Sequence, residues 1–171
     1  DLKDDMVRIL DHWERLGLRF DGVYSGFMAS TAQMDSAARC IRNCLAPGGL
    51  AVVDPVLGDD GKLIPTMTPE MVAKMRWLIT CADLITPNFT EVCLLLDEPY
   101  SPEADLPTLK GWLRRLAENG PKTVVATSVP RVSPNALPSS PTNGMRTVSG
   151  AWTVHIFRPT TQARAMCSPA C

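Results

Sequence analysis

Segments with a helical apolar period alternate along this chain with short runs that are apolar throughout, and that alternation narrows the possible folds more than any other feature. A short, continuously apolar run belongs in a strand covered on both faces, as in a parallel sheet packed against helices. Residues 4–18 begin the pattern, with Met6, Ile9, Leu10, Trp13 and Leu16 at helical spacing. An apolar segment over 20–24 follows and runs into Ser25-Gly26-Phe27. An alanine-rich helix over 30–45 is stopped by Pro47-Gly48-Gly49, and Leu50-Ala51-Val52-Val53 forms a strand ending in Asp54-Pro55. Gly58 to Gly61 reads as a loop. Thr68 caps a helix with Pro69 at its first position, reaching to about residue 80. A strand over 83–85 ends in Thr86-Pro87-Asn88, where Asn88 caps a helix over 89–96. A helix over 106–119 closes at Gly120, and a strand over 122–126 ends in Thr127-Ser128. Proline, serine, asparagine and glycine dominate 130–150, which reads as a long loop or flap, and 151–156 as an edge strand. The expected class is α/β: a doubly wound, mostly parallel sheet with helices on both faces.

The 171 residues carry a net charge of −1, which suits one domain and excludes the basic excess of a nucleic-acid binder. No apolar run approaches the roughly 20 residues that cross a bilayer, so no membrane partner is expected. Six cysteines suggest disulfides by number, but Cys40, Cys81 and Cys93 sit in apolar, regular stretches of a chain too large to need staples, which favours the cytoplasm. Cys40 and Cys44 are four apart on a helix, without the further ligands a metal site needs. The tryptophans at 13, 77 and 112 read as packing residues. The start at Asp1 reads as that of a fragment.

Ligands of open α/β sheets bind beyond the carboxyl ends of the strands. Here the strand ends carry Ser25-Gly26-Phe27, Asp54, Thr86-Pro87-Asn88 and Thr127-Ser128, with Glu91 one turn into a helix. No Walker or Rossmann glycine fingerprint accompanies them. Each also has a plainer reading: Asp54 before Pro55 as a turn former, Asn88 with Glu91 as a capping box, Thr127-Ser128 as an ordinary strand end.

Two segments, Asp54-Pro55-Val56-Leu57-Gly58-Asp59 and Thr86-Pro87-Asn88-Phe89-Thr90-Glu91, resemble the ribokinase-like superfamily and, within it, the pyridoxal kinases. Gly61-Lys62-Leu63, the Thr68 to Met71 helix start, Leu94 to Tyr100 and Thr127 to Pro130 extend the resemblance over about residues 20–130. It implies ATP and Mg2+ as cofactors, pyridoxal as substrate and a homodimer. It places Asp54 and Glu91 near the magnesium and phosphates, with Asn88 acting through waters and Thr86, Thr127 and Ser128 as nucleotide contacts. Ser25, Gly26 and Phe27 fall beside the vitamin ring, and Ile64 stands where a tyrosine is common. Hydroxymethylpyrimidine kinase shares the Thr-Pro-Asn-x-x-Glu segment and is the nearest alternative, although Gly58-Asp59-Asp60-Gly61-Lys62 favours the pyridoxal branch. A non-catalytic nucleotide-binding remnant is a third reading.

Such kinases also carry Gly-Thr-Gly-Asp at a helix start, where amides face the moving phosphate and the Asp takes a proton. No Gly-x-Gly-Asp occurs in these 171 residues. Read from the third base of the Pro159 codon, the degenerate codons of the tail permit Asp-Tyr-Pro-Gly-Thr-Gly-Asp-Val-Phe-Ala-Ser-Val. The expected organisation is therefore a partial kinase domain over 1–158 and an out-of-frame, disordered tail over 159–171, a chain that does not itself turn over pyridoxal.

Overall fold

Side-chain caps and apolar stripes set the helices where the sequence places them. The computed structural model describes residues 2–129, 145–148 and 151–157. Helix α1 (Lys3–Arg15) buries Leu10 and half-buries Met6 and Trp13. Helix α2 (Thr31–Cys44) starts at Ser30, whose hydroxyl accepts from the Gln33 N–H at 3.4 Å, and packs Met34, Ala38 and Ile41 inward. Helix α3 (Pro69–Leu78) follows Thr68, which accepts from the Met71 N–H at 3.2 Å, and a 3-10 turn (Ile79–Cys81) extends it. Proline at the first helical position loses no bond, because that N–H has no partner inside the helix. Helices α4 (Phe89–Leu96) and α5 (Leu106–Glu118) are capped by Asn88 and Asp105. Gly120 ends α5 against Thr80, whose Cα lies 2.5 Å from where a β-carbon on that glycine would sit.

The strands are β1 (Phe20–Ser25), β2 (Leu45–Val53), β3 (Gly58–Asp59), β4 (Lys62–Leu63), β5 (Leu84–Ile85), β6 (Thr123–Val129), β7 (Met145–Val148) and β8 (Ala151–Phe157). One six-stranded sheet has the order β1-β2-β5-β6-β8-β7. The first four strands are parallel, while β8 runs antiparallel to both β6 and β7. This is the expected α/β class, a mostly parallel sheet flanked by helices. Strand order follows chain order through β6, and α2 to α5 stand in a row where each helix touches the next. Between that row and the sheet lie Met34, Met75, Leu78, Ile85, Leu109 and Val124, all essentially without solvent contact.

Four local expectations are corrected. Pro47-Gly48-Gly49 belongs to β2, which starts at Leu45; the ladder shifts register between Phe20 and Gly22, and Gly48 takes up the irregularity at φ +79°. Residues 58–63 form a hairpin of β3 and β4 in place of a loop, turned by Asp60 (φ +47°) and Gly61 (φ +74°), the pair that a two-residue turn with both φ positive favours. Strand β7 occupies part of the segment expected to be a loop, and β8 lies between β6 and β7, so it is not the edge. The remainder of 130–150 and the tail over 159–171 lie outside the described residues.

Asp83 ties the amino ends of the central strands. It is 7% exposed; one carboxylate oxygen accepts from the Ala51 N–H at 2.9 Å and the other from the Lys122 ammonium at 3.2 Å. The opposite ends of the same strands are left to carry polar groups.

Candidate functional site

Strand parity decides which side chains meet at the carboxyl ends. Tyr24 pairs with Val52 and Val52 with Leu84, so Tyr24, Val52 and Leu84 share one face of the sheet. Two residues further along β2 and β5, Asp54 and Thr86 return to that face. The Thr86 hydroxyl donates to Asp54 Oδ1 at 3.1 Å, and the Tyr24 phenol donates to Asp54 Oδ2 at 3.1 Å. Backbone bonds close the spacing: Asp54 N–H to Ser25 O at 2.8 Å, Thr86 N–H to Val53 O at 3.3 Å, and Thr127 N–H to Pro87 O at 2.8 Å. A parallel bridge joins Asn88 to Thr127. The backbone of Ser25, Asp54, Thr86, Asn88 and Thr127 thus forms one continuous row near the carboxyl ends of the four parallel strands. Ser25 ends β1, Asp54 and Thr86 directly follow β2 and β5, and Thr127 lies two residues inside β6.

Glu91 stands behind this row. Asn88 and Glu91 complete a capping box: the Glu91 N–H donates to Asn88 Oδ1 at 2.9 Å, and the Asn88 N–H donates to Glu91 Oε2 at 2.7 Å. The second oxygen, Oε1, accepts from the Leu57 N–H at 3.1 Å. The carboxyl is 3% exposed, and its pKa rises to about 7, chiefly because burial penalises the charged form. Backbone donors from Asn88, Leu57 and Gly58 oppose that rise, and the Asp54 charge adds to it. The capping-box reading of Asn88-Glu91 is thus met, and it leaves the same residues open to a binding role.

The β3–β4 hairpin is strapped to the start of α4. Asn88 donates its amide to Gly58 O at 2.8 Å, and the Gly61 N–H donates to the Thr90 hydroxyl at 2.9 Å. Ser128 has φ +50°, a left-handed backbone unusual for a side-chain-bearing residue, at the register shift between Ala126 and Val129 in β6. Its side chain is exposed beside Thr127. At the other end of the row, Ser25, Gly26 and Phe27 line a cavity of about 290 Å³ between α1, β1 and α2, with Met6, Trp13 and Cys40. The Ser25 hydroxyl is buried there without a hydrogen-bond partner among the described residues, and Phe27 is 55% exposed. Burial pushes the Cys40 thiol up to about 11, so it stays protonated at neutral pH.

Among the described residues, no group of three or more His, Cys, Asp or Glu converges as a metal cage. The donors at the site are oxygens. Both Glu91 oxygens already accept from backbone, whereas each Asp54 oxygen accepts from one hydroxyl among the described residues. That donor set suits a hydrated magnesium approached through water and not a dehydrated ion. Sequence reading placed all the row residues at strand ends but missed Tyr24 and Thr90. Tyr24 reaches Asp54 only through cross-strand register, while the Thr90 hydroxyl lay within a segment already singled out.

The family model described as phosphomethylpyrimidine kinase matches residues 15–136. A pyridoxal kinase PdxY from Deinococcus radiodurans is 32% identical over 155 residues, 86% of this chain and 50% of that protein. Among solved structures, a Bacteroides thetaiotaomicron protein described as a phosphomethylpyrimidine kinase and crystallised with pyridoxal superimposes with a TM-score of 0.74. It is 45% identical, and the match covers 77% of this chain and 46% of that one. Pyridoxal kinase from Lactobacillus plantarum gives a TM-score of 0.68 at 29% identity, covering 95% of this chain and 55% of that one. The chain thus spans about half the length of the curated relatives it matches. With the family model matching well over half of its residues, the chain belongs to the phosphomethylpyrimidine kinase family, on the ribokinase-like fold it shares with pyridoxal kinases.

Proposed function

We propose that this chain is the nucleotide- and vitamin-binding portion of an ATP-dependent pyridoxal kinase, which acts on the 5′-hydroxyl to give pyridoxal 5′-phosphate. The observation that carries the reading is the continuous row from Ser25 through Asp54, Thr86 and Asn88 to Thr127, built across four parallel strand ends. Its position is where open α/β sheets take ligands. The relative holding pyridoxal at 45% identity, and the curated relatives named pyridoxal kinase, favour this vitamin over a pyrimidine.

In the reaction, the 5′-oxygen forms a bond to the γ-phosphorus of ATP while the bond to the β–γ bridging oxygen breaks. ADP leaves, and the hydroxyl proton goes to a base. Magnesium, when bound, neutralises phosphate charge. Asp54 would hold the ion through water, and the buried Glu91 holds Leu57 and Asn88 so that the Asp54 turn keeps its place. Thr86, Thr127 and Ser128 offer hydroxyls to the nucleotide, and Phe27 offers its ring to the pyridine beside Ser25 and Gly26. The full enzyme is a cytoplasmic homodimer on this reading.

The base and the anion-binding amides of Gly-Thr-Gly-Asp are not among these residues. Loss of a positioned base costs about 10²–10⁴ in rate, and loss of one anion-hole donor about 10²–10³. Calorimetry is therefore expected to show magnesium-dependent ATP binding by the purified chain, with no pyridoxal turnover in a coupled assay. Turnover by this chain, abolished by Asp54→Ala, places the chemistry elsewhere than proposed. The description of the matching family favours one second reading, a hydroxymethylpyrimidine kinase. A version restored in frame near residue 157, offered both alcohols, separates the two.

A further inference from the structure

We propose that Tyr24 is a positioning residue for Asp54: its phenol and the Thr86 hydroxyl together fix the plane of the Asp54 carboxylate toward the phosphates and their hydrated cation. The assignment rests on the kinase reading and deepens it.

Tyr24 is 66% exposed, so core packing does not account for its placement. Its hydroxyl is nevertheless held 3.1 Å from Asp54 Oδ2, while Thr86 holds Oδ1 at the same distance from the opposite side. One donor lies in β1, the other directly follows β5, and the carboxylate directly follows β2, so the ends of three neighbouring strands converge on one group. A carboxylate with one donor still pivots about its two side-chain torsions; a donor on each oxygen, from opposite sides, fixes its plane. Each ionised carboxylate oxygen has about two lone-pair directions, so one hydroxyl on each leaves one per oxygen for water. Hydroxyl bonds to an ionised carboxylate are among the stronger ones, and here one comes from within β1 and the other from the residue directly after β5.

The test is a double-mutant cycle on the 171-residue chain, with Mg·ATP binding followed by calorimetry and thermal unfolding run beside it. Tyr24→Phe is expected to weaken Mg·ATP binding roughly fivefold, with the thermal midpoint unmoved. In an Asp54→Asn background the same change is expected to have no effect, because the group that Tyr24 orients no longer carries the charge. A crystal structure of Tyr24→Phe is expected to show the Asp54 carboxylate rotated off the Thr86 hydroxyl. Equal weakening in both backgrounds assigns Tyr24 a general structural role and overturns the proposal. So does unchanged affinity in Tyr24→Phe when Asp54→Asn binds poorly. No Mg·ATP binding by the unsubstituted chain sinks the kinase reading itself, and this assignment with it.

Discussion

Glu91 shows how much one buried side chain organises at the residue scale. Its two oxygens hold the first amide of the α4 cap and the amide of Leu57, so a single carboxyl joins the helix start to the turn beyond β2. That service has a pH signature. The folded chain holds the Glu91 proton up to about pH 7, and the unfolded chain releases it near the ordinary 4.5. Between these values the folded state binds more protons, so stability falls as pH rises through the window, by about 1.4 kcal/mol per unit at most. Urea unfolding is expected to show a loss of about 2–3 kcal/mol from pH 5 to 7 that Glu91→Gln lacks. Identical profiles for the two proteins would mean that Glu91 is ionised throughout. The capping box was legible because Asn88 and Glu91 lie three apart and need no tertiary partner. The Tyr24–Asp54 bond was not, because thirty residues separate its ends and only the β1–β2 register brings them together.

Among the elements, the β3–β4 hairpin is the most tightly specified by sterics. A β-carbon on Gly58 would lie 2.2 Å from the Lys62 carbonyl oxygen, with Leu94 at 3.2 Å on the other side. Gly58→Ala must therefore push the two strands apart, at about 1–3 kcal/mol for overpacking of this kind. Hydrogen exchange is expected to quicken at the Gly61 and Ile64 amides, which donate to Thr90 and to Leu57 O, while α5 amides keep their protection. An unaltered exchange pattern would show that the hairpin yields without cost. Asp60-Gly61 is a strong turn signal, but two residues on either side are too few to show the alternation that marks a strand. The misplacement of β8 has a different cause: a single strand's composition does not say whether one neighbour or two will flank it.

For the whole molecule, the alternation of periodic and continuously apolar segments was enough to give the α/β class, since each kind of segment buries itself in only one way. Strand order lay outside that logic, because it depends on which crossovers close. The order places β1 at one end of the sheet, and among the described residues it has a strand neighbour on one side only. An open edge is a template: its free amides and carbonyls can extend a neighbouring molecule's sheet. Tyr24 and Phe27, both well exposed, add apolar surface beside that edge. Asp21 is the exposed charge within β1, and charge on an edge strand is a common guard against such growth. Asp21→Val is expected to make light scattering rise with protein concentration, whereas Asp21→Lys leaves the solution clear. Equal clarity for both would show that the edge is already shielded, and that solubility here does not hang on a single carboxylate.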